Sequence, residues 1–220
     1  AQQILATNIE TVALFGGVAA HAYAPLKLPL SAAIGMALVT CGHANGWPVA
    51  RGGSVAIAEA LAAVIRERGG RIETGRRVRS LGELPSADAV VLDLAPRGVL
   101  ELAGEKLPLR IARAYRRYRH GPGAFKLDLA VEDGVPWAYE PARRAGTVHV
   151  AGSFEEIVAI ESEIHRGRMP ERPYVLVGQQ YLADPQRSKG NLHPIWAYAH
   201  VPHGYGGDAT EAILDQVERF

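Results

Sequence analysis

The sequence predicts a mixed α+β protein, with a mixed or antiparallel sheet carrying covering helices. Two observations predict this class. The first 120 residues are dominated by alanine-rich and 3.6-residue periodic segments, the pattern of helices. Beyond them, four short runs, "AFKLDLAV", "TVHVAG", "YVLVGQ" and "IWAYAHV", have strand character, and only one strong helical segment interrupts them. The chain has 220 residues, enough to bury a core. Apolar residues make up 48% and charged residues 21%, the usual balance of a globular protein.

Taken in order, "ETVALFGGVAAHAYAPLKLPL" has helical tendency broken at Gly16 and Gly17, and again at Pro25 and Pro29. A second helix starts with Ser31 as its N-cap and places Ile34, Leu38 and Cys41 on one apolar face. Ser54 caps a third helix over 55–68, whose stripe of Ile57, Leu61, Val64 and Ile65 is expected to face the core. Gly69 and Gly70 stop it, and short extended pieces follow around Ile72 and Val78. "ADAVVLDLAP", Ala87 to Pro96, is a continuous apolar run closed by proline, the signature of a strand buried on both faces. Residues 97–119 read as helical with arginine outward.

In the second half, Phe125, Leu127, Leu129 and Val131 alternate with Lys126, Asp128 and Ala130. The polar set reads as a solvated face, or as side chains aimed into a ligand cavity. Ser153 caps a helix with Ile157, Ile160 and Ile164 inward. "IWAYAH" places Trp196, Tyr198 and His200 on one face, which is either core under a helix or the wall of a pocket for a flat, apolar ligand. The last helix has Asp208 as N-cap, with Ile213, Leu214 and Val217 on one face. It runs to Phe220 without a cap, and the chain opens on Ala1, so the expectation is a fragment of a longer protein.

Several chemistries find little support. Net charge is +1 and the basic cluster "RAYRRYRH" reads as one amphipathic face, so no nucleic-acid groove is expected. One cysteine, Cys41, excludes an intramolecular disulfide and fits a cytoplasmic, reducing location. No apolar run is long enough for a spanning helix. The eight histidines form no ligand spacing: Pro202 separates His200 from His203, while His149 and His193 sit in or at strands. No metal site is therefore assigned. Gly204, Gly206 and Ala209 fit a loose G-x-G-x-x-A. Asp208 would set a negative charge where a pyrophosphate belongs, so a glycine turn is the better reading.

"ARGGS" offers a helix N-terminus beside Arg51, where Gly52 and Gly53 let a ligand approach the backbone; the same glycines also serve a plain turn. The whole stretch "GWPVARGGSVAIAEALAAVIRERGGRIETGRRVRSL", followed by "ADAVVLDLAP", resembles the central part of phytoene dehydrogenase-like flavoproteins. These belong to the group of FAD-dependent amine oxidases and carotenoid desaturases. "PLSAAIGMALVTCGHANGWP" and "RHGPGAFKLDLAV" look like the bacterial branch of that family and its pyridine nucleotide-disulfide oxidoreductase-like relatives.

The resemblance implies FAD as cofactor and an apolar small-molecule substrate. It implies a helical part of the substrate domain over 1–50, a piece packing on FAD over 51–100 and a mixed-sheet substrate domain over 101–220. The family's N-terminal Rossmann unit, with its G-x-G-x-x-G loop, is not in this sequence. By resemblance, Arg51, Gly52, Gly53 and Ser54 lie near the flavin, Val78 offers its backbone to the adenine end, and Leu94, Ala95 and Pro96 end a strand beside the cofactor. No catalytic residue is assigned, because in this group the flavin carries the hydride chemistry. The fragment is expected to be inactive alone and to self-associate through an apolar cofactor-facing surface. The alternative is a non-enzymatic module that binds an apolar ligand or a protein through the aromatic sheet face.

Overall fold

The structure, a computed structural model, describes residues 9–220. It is α+β. The chain divides into two compact units, one made of residues up to Ala56 together with Gly121–Phe220, the other of Ile57–His120.

The first unit is built on a four-stranded antiparallel sheet: β1 (Gly123–Glu132), β2 (Thr147–Val150), β3 (Val175–Gly178) and β4 (Leu192–Val201), in the order β1-β4-β3-β2. The β1–β4 ladder runs from Gly123 opposite Val201 to Glu132 opposite Leu192. The period-2 pattern does what it predicts. Phe125, Leu127, Leu129 and Val131 share a face with Ile195, Ala197, Ala199, Val201, Val175 and Val177. Trp137 and the buried Ile213 of helix α7 (Thr210–Val217) close that face. Lys126 and Asp128 point the other way, exposed and paired with each other.

Helix α6 (Phe154–His165) starts at a capping box: Ser153 Oγ accepts from Glu156 N–H at 3.3 Å and Glu156 Oε2 from Ser153 N–H at 2.7 Å. Its Ile157, Ile160 and Ile164 are buried as the periodicity requires.

Helix α1 (Ile9–Ala19) runs on through Gly16 and Gly17, where local propensity predicts a break. Both glycines are there for close approach. A Cβ on Gly16 would come 2.6 Å from the Phe154 ring, and one on Gly17 3.3 Å from His149 Nδ1. Helix α2 (Ser31–Asn45) also departs from expectation. Leu30, not Ser31, is its N-cap residue, and Ser31 Oγ instead donates to Leu26 O at 2.8 Å. Ser31 and Gly35 face inward, while Ile34 and Cys41 are exposed, because the close crossing against Phe15 and Ala19 admits only small side chains. Asp208 is likewise not the cap of α7. That position is Ala209, and Asp208 Oδ1 accepts from Thr210 N–H at 2.8 Å, which holds its carboxyl below the usual range.

The second unit holds most of α3 (Val55–Glu67), with α4 (Pro96–Ala103) packed on α5 (Leu109–Arg116). Pro96 begins α4, where its missing N–H costs nothing. Two expectations fail here. Residues 87–95 join no strand and Pro96 opens α4, with Val91 93% exposed. The α3 stripe, Ile57, Leu61, Val64 and Ile65, is exposed. The cause is common to both. A buried strand and a helix stripe each need a facing apolar layer, and this unit contains no sheet to provide one. Among the described residues, no helix is long and apolar enough to cross a membrane.

Candidate functional site

The sheet face opposite α7 carries an aromatic and imidazole cluster. Alternation along β4 sends Trp196, Tyr198 and His200 to this face. Register adds His149 from β2, which lies across Leu176 from Tyr198. Tyr174 precedes β3, Glu161 comes from α6, and His21 and Tyr23 come from the turn after α1.

The rings form a row. Trp196 and Tyr198 are parallel, 3° apart with centroids separated by 5.9 Å, and Tyr198 continues to His200 at 5.9 Å. The Trp196 indole lies over Gly178, which leaves no room for a Cβ there. Trp196 and Tyr198 are half-buried, whereas His200 is 1% exposed. The row therefore begins at the surface and ends inside.

At the inner end, His200 Nδ1 and Glu161 Oε1 are 2.8 Å apart, and both side chains are fully buried. Nδ1 donates and the carboxyl oxygen accepts. The other ring nitrogen, Nε2, is buried with no hydrogen-bond partner. Tyr23 covers the imidazole at 3.8 Å between centroids, and Tyr174 stands at 5.3 Å. Burial, reinforced by nearby Tyr198, pushes the Tyr23 phenol above its ordinary range, and burial does the same to Tyr174 and Tyr198.

Beside this pair, His21 Nε2 and His149 Nε2 meet at 3.2 Å. Burial, then the neighbouring His21 and His200, lowers the His149 pKa to about 4, and burial and His200 also lower His21. The two rings are thus held neutral, one donating to the other. Tyr174 O–H donates to Gly17 O at 2.9 Å, fixing the ring beside His149 and His200. At the free edge of β2, a cavity of about 480 Å³ opens between Leu14, Gly17, Tyr139, His149, Ile157 and Phe220.

The second unit has a cleft of about 730 Å³, lined by Arg77, Val78, Arg79, Asp93, Leu94 and Leu102. It brings together Val78 and Leu94, two residues that the sequence reading assigned to the cofactor. Ala95 is the N-cap of the helix α4 that follows and Pro96 its first residue. Arg51, Gly52, Gly53 and Ser54 belong to the other unit. There, Gly52 and Gly53 turn the chain with φ of 85° and 87°, and the Arg187 guanidinium stands against Gly53.

The strand period gives Trp196, Tyr198 and His200 but not their partners. The linear spacing of the histidines predicts no cluster, and the structure corrects this: His21, His149 and His200 share one cluster. One signal was readable. Glu161 lies four residues after Ile157 and three before Ile164, a carboxylate on the apolar stripe of an amphipathic helix, and such a group is buried only when paired. Among the described residues, no group of three or more potential ligands is placed to hold a metal ion. No family model, curated protein or solved structure matches the chain.

Proposed function

We propose that this chain supplies the substrate-facing part of an FAD-dependent oxidoreductase, of the dehydrogenase or desaturase type, acting on an apolar small molecule in the cytoplasm. The observation that carries the reading is the half-open row of Trp196 and Tyr198 ending at the buried Glu161–His200 pair. A pocket wall of aromatic rings with one or two convergent polar groups suits an apolar ligand that must be oriented.

The cofactor assignment rests on the resemblance of residues 46–96 to the flavoproteins. The residues present fit it. The cleft at Val78 and Leu94 combines apolar walls with the Arg77 and Arg79 guanidiniums, a suitable donor set for a nucleotide with an anionic linkage. Ala95 and Pro96, which follow Leu94 in the same unit, would border the cofactor. The flavin, when bound, supplies hydride transfer. The chain's own side chains orient the substrate, exclude water and hold a proton at His200. Since the sequence has no pyrophosphate-binding glycine loop, the chain alone is expected to be inactive and to take up little FAD.

A longer protein containing this chain with its flanking sequence is expected to purify yellow, with flavin absorption bands. A colourless product that stays colourless after incubation with FAD and gel filtration overturns the reading.

One observation favours a second reading, a non-enzymatic module that binds a protein or apolar ligand. The α3 stripe Ile57, Leu61, Val64 and Ile65 is exposed. Such a stripe is expected to drive concentration-dependent self-association. Light scattering checks this: a mass that stays monomeric up to high concentration rules it out, and Leu61→Glu is expected to reduce any association seen.

A further inference from the structure

The geometry points to a binding place for a flat, hydroxylated aromatic ring on the face of His200, filled in this structure by the chain's own Tyr23. The inference rests on the reading of the Trp196–Tyr198–His200 face as a substrate wall and narrows the substrate class for it.

Tyr23 is attached in an unusual way. It ends the three-residue helical turn Ala20–Ala22 with φ of 50° and ψ of 39°, in the left-handed region that residues with a Cβ rarely occupy. Local backbone preference therefore does not put the ring where it is. Its contacts do. The ring lies tilted against His200, 3.8 Å between centroids and 36° between planes, and burial beside the Tyr198 phenol holds its hydroxyl's pKa up. Both contacts are ones that a free phenol makes equally well.

The fit is also incomplete. His200 is 1% exposed, Glu161 holds its Nδ1, and its Nε2 has no partner while Tyr23 covers it. A buried ring nitrogen left unpaired is costly. A ring that keeps the Tyr198 contact and brings a second hydroxyl, able to donate or accept, to Nε2 satisfies a group that Tyr23 leaves unsatisfied. Tyr23 sits between α1 and α2, outside both helices, so it can leave without breaking either. The occupant is thus a planar ring with one hydroxyl for Tyr198 and an adjacent hydroxyl for His200 Nε2.

The probes are 4-methylcatechol, p-cresol and toluene, added to the whole chain without flavin. Binding is read from the nitrogen-15 resonance of His200 Nε2 and from thermal stabilisation. The wild type is expected to bind 4-methylcatechol, kept reduced, about tenfold more tightly than p-cresol, and p-cresol about tenfold more tightly than toluene. Tyr23→Gly suits the left-handed backbone and is expected to tighten all three, p-cresol by at least about tenfold. Toluene binding as tightly as p-cresol overturns the proposal. So does a His200 response in Tyr23→Gly with none in the wild type, since Tyr23 is then packing alone. Should Tyr23→Gly not fold, Tyr23→Phe keeps the ring and loses the Tyr198 contact. It is expected to bind p-cresol several-fold more tightly than the wild type, and unchanged affinity overturns the proposal. Because no flavin is present, these outcomes are separate from the uptake of FAD by the longer protein.

Discussion

Trp137→Ala is expected to destabilise the sheet unit by about 3–5 kcal/mol, most of it from the loss of a buried aromatic ring. Trp137 is 2% exposed and packs with the β1–β4–β3 face and Ile213. The surrounding backbone is fixed by the ladder and cannot collapse into the space. A second penalty comes from Gln179, which is fully buried. Trp137 Nε1–H donates to Gln179 Oε1 at 3.1 Å, while Gln179 Nε2 donates to Ala142 O at 2.9 Å and Ala145 O at 2.7 Å. Removing the indole leaves Oε1 unpaired, worth about 1–3 kcal/mol. Trp137→Phe separates the two effects, since it keeps most of the ring and loses the N–H. Urea unfolding followed by circular dichroism measures both, and a Trp137→Ala midpoint equal to the wild type would show that the side chain is not part of the core.

Stability is expected to fall by up to about 3 kcal/mol as pH drops from 6.5 to 4, with His149 as the main cause. In the fold its pKa is lowered from 6.5 to about 4, chiefly by burial. Between those values the unfolded chain binds a proton that the folded chain refuses, so acid favours unfolding. Above pH 6.5 both states are neutral at this site and the effect vanishes. His21 is shifted in the same direction and adds to the slope. His149→Gln removes the titration and keeps a group able to face His21. Its unfolding free energy should therefore change much less between pH 7 and pH 4.5. A variant with the wild-type slope would place the acid sensitivity elsewhere.

What the sequence made legible follows from the range of the forces involved. Strand β1, strand β4 and helix α6 were readable because each meets a continuous apolar surface, and the alternation or the 3.6-residue stripe records that surface directly. The glycine pair of α1 was misread because propensity is local, whereas the reason for Gly16 and Gly17 is contact with Phe154 and His149, more than a hundred residues away. The run Ala87–Pro96 and the stripe of α3 carry the pattern of burial without a partner layer in their own unit. Pattern shows that a surface is apolar; it does not show what covers it. Half of the site was visible for the same reason. The strand period gives Trp196, Tyr198 and His200, but the meeting of His21 with His149, or of Glu161 with His200, depends on how the helices dock on the sheet.

The sheet order also sets a schedule for the growing chain. β1 leaves the ribosome early, yet its ladder partner β4 begins some sixty residues later, at Leu192, and β3 also needs β4 on its inner side. Until then Phe125, Leu127, Leu129 and Val131 have no neighbouring strand, while β2 and β3 can already zip together. The middle of the sheet is delivered last, so a nascent chain stalled before Leu192 presents an unpaired apolar ribbon to chaperones. Slowing translation just before β4 should therefore change the yield of folded protein far more than slowing it after.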